Sequence, residues 1–504
     1  MASDSSYTYL TKYYAKRIEE DYAASTPAKF RDKYTYKGFG EEHKQLNYRE
    51  IAILGQFFDK WICRSNVHLV LVDGNGDLYA YNGEYYEKHT SGIAFVMELI
   101  KRTMEELSIS SYYIFFAPKI IAQNLMRSIT NNKALTFNPN RRYIVFTNGV
   151  LDLKTGNLNQ FSNIYVTDLV LDIAFVDYET LMRASTGVTV NANVCKLWEA
   201  KIAEIIPDKD NLQAFQQFCG SLLVNRDEIK IEYVCYLFGS GANGKSVAAN
   251  AIASVFGDKY FSTFTPKQLF KDSDARVNIA ALEGKICNLV GDLEEKDISG
   301  GDFKRFVSGE KFQGRRNYKD PIQVKAPPLL CCTNIMPETS DDTWGYYRRQ
   351  LTIATTMHQF TDKDKDPMLS AKFATTEARQ RIFLWIYEGY KKIIANGGII
   401  TLGDEVLQAQ TRLQQSSSSQ RRWFRDSGLK VPKADQGEWI PLTILVREYL
   451  SYCDEMNESQ RVDGRKIMDM LMSLGFERKR RRDGTMVYVT RSVEEEGFGD
   501  LIKE

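Results

Sequence analysis

The octapeptide Gly239-Ser240-Gly241-Ala242-Asn243-Gly244-Lys245-Ser246 has the types and spacing of a loop built to hold a phosphate chain. Its glycines let successive backbone N–H groups curl toward an anion. A helix after the loop would aim the positive end of its dipole at the same point. Lys245 is then set to reach the β- and γ-phosphates of a nucleotide, and Ser246 to offer a hydroxyl to Mg²⁺. Such a loop needs a strand before it and a helix behind it. The apolar "YVCYLF" and the small-residue run "SVAANAIASVF" supply both. A chance match in a chain of this length and composition is expected only about 2% of the time. ATP with Mg²⁺ is therefore the expected ligand.

Three later segments carry groups that such a loop requires. "KICNLVGDLEE" is an apolar strand ending at Asp292, followed by Glu294 and Glu295. An acid at that point holds Mg²⁺ and polarises water. Asp292 is assigned to the metal and Glu294 to water, although Leu293 separates them where an adjacent acid pair is usual. "PPLLCCTNIMP" reads as a buried strand ending at Thr333-Asn334. An amide there, beside the loop strand, would sit near the γ-phosphate and orient water. In "DDTWGYYRRQLTI", Arg348 and Arg349 open an apolar segment, which suits presentation of one guanidinium across a subunit boundary.

The elements that must position these groups are legible in outline. The 504 residues exceed one core, and about three domains are expected. Residues 1–205 mix helices with turn-punctuated strands, as in "VHLVLVDGNGDLYAYNGEYYEKH" and "RRYIVFTNGVLDLKTGNLNQF". Residues 206–375 alternate helices with apolar strands, the pattern of a sheet covered on both faces. Residues 376–420 hold an amphipathic helix and the polar run "LQQSSSSQRRW", which reads as a linker. Residues 421–504 read helix, helix, then a hairpin in "FERKRRRDGTMVYVT". The formal net charge of +1 means that any nucleic-acid surface must be local. The scattered cysteines and histidines give no zinc spacing and read as reduced intracellular residues. There is no apolar run of membrane-spanning length and no secretory signal at the N-terminus, so the expected location is cytoplasmic.

In their order, Gly239–Ser246, Asp292–Glu295, "FKRFVSGEKF", "QVKAPPLLCCTN" and "YYRR" resemble superfamily 3 DNA helicases, the AAA+ replicative helicases of viruses, phages and mobile elements. The class most similar is the poxvirus- and phage-type primase-helicases. "QVKAPPLL" also resembles the corresponding segment of papillomavirus helicases. The resemblance is strong over residues 205–360. "LYAYNGEYYEK" and "NGVLDLKTGNL" extend it weakly to about residue 60, through a domain that precedes the helicase core in the phage-type class. It implies an α/β fold: an AAA+ P-loop ATPase core between an N-terminal α+β domain and a C-terminal winged-helix-like domain. It also implies a homo-hexameric ring, ATP hydrolysis between subunits, 3′-to-5′ movement on single-stranded DNA, and a host bacterial cytoplasm as the setting. By position, Lys245 and Ser246 match the P-loop pair, Asp292 the Walker B acid, Asn334 the sensor, and Arg348 or Arg349 the arginine finger. No obvious room exists for an N-terminal primase domain, so a primase partner is expected to be a separate chain.

Two basic segments complete the reading. "KFQGRRNYKDPIQVK" places basic and aromatic residues around a hairpin tip that in this family projects into the ring channel. Arg315, Arg316 and Lys319 would meet phosphates there, and Tyr318 would stack on a base. "ERKRRRDGTMVYV" resembles the wing of a winged-helix module and is expected on duplex or forked DNA. Two rival functions remain open at this stage. One is a P-loop kinase, which DNA-stimulated ATPase activity would exclude. The other is an ATP-switched origin-binding initiator or helicase loader, which strand displacement would exclude.

Overall fold

The computed structural model describes residues 5–25, 48–107, 117–177, 191–293, 300–317, 320–337, 339, 341, 343–361, 366–416, 418–433, 436–458, 461–482 and 484–491. The chain divides into two compact units, Met1–Leu181 and Met182–Glu504.

In the first unit, α1 (Ser5–Ser25) and α2 (Tyr48–Asp59) precede an antiparallel meander of β1 (Val70–Val72), β2 (Leu78–Tyr81) and β3 (Tyr86–His89). The Asp-Gly turn between β1 and β2 is closed by the Asp73 carboxylate, which accepts hydrogen bonds from the amides of Asn75 and Asp77. Helices α3 (Gly92–Glu106) and α4 (Ala117–Asn131) follow. A second meander is built from β4 (Tyr143–Phe146), β5 (Gly149–Asp152) and β6 (Leu158–Asn159). Gly149 has φ +148°, and a Cβ there would lie 2.5 Å from the Asn159 carbonyl, so the Asn-Gly sequence of this turn is a steric requirement. Leu10, Tyr14, Phe58, Val70, Leu78 and Leu99 are among the core residues.

The second unit begins with α5 (Asn191–Ile205) and α6 (Lys209–Ser221). Asp208 caps α6 by accepting from the Asn211 amide. Then come β7 (Val234–Phe238), α7 (Lys245–Phe256), β8 (Phe261–Ser262), α8 (Pro266–Phe270), α9 (Ala275–Ala280), β9 (Cys287–Val290) and α10 (Gly301–Val307). The hairpin of β10 (Lys311–Gly314) and β11 (Ile322–Lys325) leads to β12 (Leu329–Thr333), α11 (Trp344–Tyr347), β13 (Gln350–Ala354) and α12 (Leu369–Phe373). Two longer helices close the core: α13 (Thr376–Ala395) and α14 (Asp404–Ser416).

Five strands form one parallel sheet in the order β13-β7-β12-β9-β8. Every residue of β9 and β12 is buried, which is why these strands read as unbroken apolar runs. The buried Asn288 on β9 is an exception with a reason. Its amide accepts from Ser262 Oγ and the Phe264 amide and donates to the Phe264 carbonyl, fixing the β8 edge. Helices α6 and α13 cross at two glycines. A Cβ on Gly220 would lie 2.2 Å from the Tyr390 nitrogen, and one on Gly389 would lie 2.1 Å from the Gln216 carbonyl oxygen.

The C-terminal module contains α15 (Ser419–Asp426), β14 (Leu429–Lys430), β15 (Glu438–Pro441), α16 (Leu442–Glu455), α17 (Gly464–Ser473), β16 (Glu477–Arg481) and β17 (Gly484–Arg491). The run expected to be a linker differs in the structure. It is the end of α14, a capping serine and the first turn of α15. Ser418 accepts from the Arg421 amide, and Ser419 hydrogen-bonds the Tyr449 hydroxyl at 2.7 Å. Ser418, Ser419 and Gln420 are buried. Serines that look like a solvated tether in sequence are here consumed by capping and by a core hydroxyl. Upstream, Gln410 on α14 donates to the carbonyls of Tyr347 and Gln350 and so ties α14 to the edge strand β13.

Cys63, Cys219, Cys235, Cys287, Cys331, Cys332 and Cys453 are buried and form no disulfide. Among the described residues, no helix is long and apolar enough to cross a membrane.

The glycine crossing gives a stability test. Gly389→Ala forces α6 and α13 apart, because the obstructing atom is backbone. It is expected to cost about 1–3 kcal/mol, read as a lower melting temperature by calorimetry. Gly301→Ala, whose Cβ meets nothing within 4 Å, should change stability by less than about 0.5 kcal/mol.

Candidate functional site

The parallel register brings three strand ends to one place. Phe238 pairs with Thr333 on one side and with Ala354 on the other. The octapeptide leaves the sheet at Phe238 and enters α7 at Lys245, so the expected strand–loop–helix frame is present. Gly244 holds φ +88°, and a Cβ there would press on Ile205 Cδ1 at 2.8 Å. Gly239 is equally confined, since a Cβ would lie 2.2 Å from Thr355 Oγ1 and 2.5 Å from Asn243 Nδ2. Gly241 faces open space. Two glycines are thus required by packing, and the third leaves the mouth of the loop clear.

The buried Lys245 ammonium is the centre of the site. It donates to the carbonyls of Gly239 (2.8 Å) and Ser240 (2.7 Å), to Asn243 Oδ1 (2.9 Å) and to Asn334 Oδ1 (2.9 Å). Burial lowers its pKa from the ordinary lysine value, and the neighbouring Cys332 and Asp292 pull it back up. The Cys332 thiol is pushed up to about 11, chiefly by burial, and so stays protonated; Ser246 hydrogen-bonds to it. Asn243 is itself braced, donating to Thr355 Oγ1 (2.7 Å) and the Thr356 carbonyl (3.0 Å). Thr355 Oγ1 in turn donates a hydrogen bond to the Phe238 carbonyl at 2.9 Å. Asn243 therefore shapes the loop by its side chain, in addition to lining it. Ala242, at φ +57°, is pinned by the Phe360 amide donating to its carbonyl.

Asn334 is where a group beside the loop strand should be, directly after β12. Asp292 is exposed, two residues past β9, and its strand end is locked to that of Asn334. The Leu293 amide donates to the Cys332 carbonyl at 2.9 Å, and Thr333 Oγ1 donates to the Leu293 carbonyl at 3.0 Å. Glu294 lies outside the described residues. Ser240 Oγ is buried with no hydrogen-bond partner among the described residues. An unpaired hydroxyl, a buried ammonium and the amides of the first turn of α7 all converge on one loop. That set fits a phosphate chain, with Ser246 and Asp292 as the oxygen donors available to Mg²⁺.

Arg348 and Arg349 are not in this group. They precede β13, whose start pairs with the start of β7, so roughly 15 Å of strand separates them from the loop. Both meet Glu232: Arg348 at 2.7 Å and Arg349 at 3.5 Å. Arg349 also donates to Ser308 Oγ at 3.0 Å and to the Gly345 carbonyl. Its side chain is 13% exposed, that of Arg348 41%. Burial alone would raise the Glu232 carboxyl. The Ser308 hydroxyl and the two arginines outweigh it and hold the group below the usual range.

The expected basic hairpin exists as β10–β11, with Gly314 packed against Ala280. At its tip, Arg315 is exposed, and Arg316 is paired with Glu283 and half-buried. Tyr318 and Lys319 lie outside the described residues. The sequence reading gave Thr333 no role beyond ending its strand, and it missed Thr355 and Glu232. The two threonines sit at strand ends level with the loop, and a polar residue ending an apolar run is the signal that could have found them.

Comparison with known proteins bears on both units. Residues 55–220 match the family described as "D5 N terminal like". Residues 237–349 match a family of unknown function, DUF5906. A protein of Acanthamoeba polyphaga mimivirus named "Putative helicase L207/L206" is 27% identical over 233 residues, 45% of this chain and 22% of that protein. The chain thus matches about a fifth of that protein's length. Among solved structures, the A form apo structure of the NrS-1 C terminal region is similar over 84% of this chain and 96% of that one, at 10% identity and TM-score 0.42. A second apo structure of NrS-1 residues 305–718 gives 8% identity and TM-score 0.38. Both likenesses are too loose to align individual residues.

Thr355 provides a direct test of the brace. Thr355→Val keeps the shape but leaves one N–H of the buried Asn243 amide unpaired, while its other N–H keeps the Thr356 carbonyl and the Phe238 carbonyl keeps the residue-355 amide. A loss of about 1–3 kcal/mol in unfolding free energy is expected, read by denaturant titration.

Proposed function

We propose that this chain is an ATP-hydrolysing DNA helicase of the viral and phage replicative kind, working as a ring of identical subunits on single-stranded DNA. The observation that carries the proposal is the set around Lys245: its ammonium is held by the carbonyls of a glycine loop on a parallel sheet and by the Asn334 amide oxygen, and the same loop carries the unpartnered Ser240 hydroxyl. Such a set suits a nucleoside triphosphate. The similarity of residues 55–220 to the D5 N terminal family, and of 45% of the chain to a viral protein named as a helicase, supports the choice of DNA helicase among nucleotide enzymes.

In this reading the Lys245 ammonium exchanges its carbonyl partners for phosphate oxygens. Asn334, one hydrogen bond away, then orients water at the γ-phosphate. Mg²⁺, held by Ser246 and Asp292, supplies charge neutralisation when bound, and Glu294 is the proposed base. The winged-helix-like reading of the C-terminal module, the 3′-to-5′ direction and a separate primase belong to the same proposal.

The arginines fit a role in trans. At roughly 15 Å from their own loop, they serve the loop of a neighbour. Their environments divide the work between them. The Arg348–Glu232 pair is partly exposed and worth about 0–1 kcal/mol, so Arg348 can leave it for a phosphate. A finger contributes about 10³–10⁵ in rate, or roughly 4–7 kcal/mol of barrier. Arg349 has three partners and little exposure, and it positions the segment. We assign the finger to Arg348.

Lys245→Ala is expected to lower ATP turnover by about 10²–10³. Arg348→Ala should cut turnover by about 10³ while ATP still binds. Arg349→Ala should lower the melting temperature as well. Mixing Lys245→Ala with Arg348→Ala subunits should restore part of the activity through mixed interfaces. Normal turnover in Arg348→Ala would sink the shared-site reading. ATPase activity without strand displacement on forked DNA would leave the initiator or loader function instead.

A further inference from the structure

The C-terminal sheet presents one face that the ATPase reading does not use. Val487 and Val489 of β17 are fully buried and belong to the module core with Leu445, Tyr449 and Leu471. Side chains alternate along a strand, so Met486 and Tyr488 take the opposite face. Register adds their neighbours. Trp439 on β15 and Glu477 on β16 flank Tyr488; Pro441 and Lys479 flank Met486; and Arg481 lies beside Gly484. None of Trp439, Met486 and Tyr488 is in the core cluster or packed against it.

Two features of this face point to a ligand. The Trp439 and Tyr488 rings are adjacent, with centroids 5.1 Å apart and planes 35° apart. Tyr488 is held in place by the Gly437 amide, which donates to its hydroxyl at 3.0 Å. Beside the rings stands a row of exposed cations. Lys479 Nζ is 6.0 Å from the Trp439 ring centroid, and Arg481 lies two residues, or about 7 Å, further along the same strand. Arg478 and Arg480 project from the other side of that strand. Among the described residues, none of Arg478, Lys479, Arg480, Arg481 and Arg482 pairs with a carboxylate, and every residue of β16 is exposed. Among the described residues of β15, β16 and β17, Glu477 is the one acid that the register places on this face, at the end of the strand away from the hairpin turn.

We propose that this face is a binding site for single-stranded nucleic acid. Unpaired bases stack on Trp439 and Tyr488, and the adjoining phosphates lie against Lys479 and Arg481. A fixed aromatic pair beside a cation row is the chemistry that captures a strand without reading its sequence. A duplex offers phosphates to the cations but hides its base faces, so the rings select for the unpaired strand. The site is separate from the nucleotide loop and does not depend on ATP hydrolysis.

The test uses the full chain without nucleotide. A photo-crosslinking oligothymidylate should attach to peptides containing Trp439 or Tyr488, located by mass spectrometry. Trp439→Ala should remove that crosslink and weaken oligothymidylate binding at least about fivefold, while Trp439→Phe, which keeps a stacking face, retains most of it. Lys479→Ala with Arg481→Ala should lower the slope of log affinity against log salt by about 1.4, the value for two single-strand phosphate contacts. A matched duplex should be affected by the cation changes but not by Trp439→Ala. The site is ruled out if the oligonucleotide binds with crosslinks only elsewhere, if Trp439→Ala leaves its affinity unchanged, or if duplex binding falls equally with Trp439→Ala. Because no turnover is measured, a failure of the ATPase reading would not affect these outcomes.

Discussion

A buried ammonium must be surrounded by oxygen, and the second unit is arranged so that Lys245 is. Stripping water from a lysine costs several kcal/mol unless its donors are satisfied. Four oxygens satisfy them, and they come from two stretches of chain: the loop, through the carbonyls of Gly239 and Ser240 and the side chain of Asn243, and Asn334 after β12. These can converge only if β7 and β12 end level with each other. Asn243 in turn needs Thr355, so β13 must end level as well. The charge on one side chain is thus satisfied in the register that the three parallel strands adopt.

The same sheet works as a spacer. Its C-terminal ends carry the glycine loop, the acid and the amide, and its N-terminal edge carries Glu232 and the arginine pair. Arg349 reaches Ser308 at the end of α10, and the hairpin β10–β11 begins three residues later. Arg226 reinforces that junction. Its guanidinium donates to the carbonyls of Ile231, Val307 and Ala326, bridging the entry to β7, the end of α10 and the exit from β11. Burial lowers its pKa to about 10, still far above neutrality, so it remains a cation bonded to carbonyl dipoles. The base of the basic hairpin is therefore fixed rigidly to the edge of the sheet that carries the arginines.

At the C-terminal end, what reads as a tether is an extension of the core. Ser418 and Ser419 are used inward, Gln410 anchors α14 to β13, and the module continues from there through α15. The basic strand β16 is exposed on both sides, whereas β17 buries one face and shows Met486 and Tyr488 on the other. Charge alone suggested a contact along a duplex backbone. Only the register placed Trp439 and Tyr488 beside those charges.

Much of this protein was written into the sequence locally. The glycine loop, the strand and helix around it, both meanders and the run of buried strands follow from spacing, turn residues and period, because each depends on neighbours within a few residues. The candidate loop, acid, amide and arginines could likewise be named from residue type. Which of them stand together could not. That Asn334 touches Lys245 while Arg348 and Arg349 lie at the far edge depends on strand order and parallel register, which are set by contacts between residues about a hundred positions apart. The brace of Asn243 by Thr355, the capture of Arg348 by Glu232 and the inward turn of Ser419 are contacts of the same kind. A polar residue in a sequence states what it can bond to; only packing decides which partner it meets.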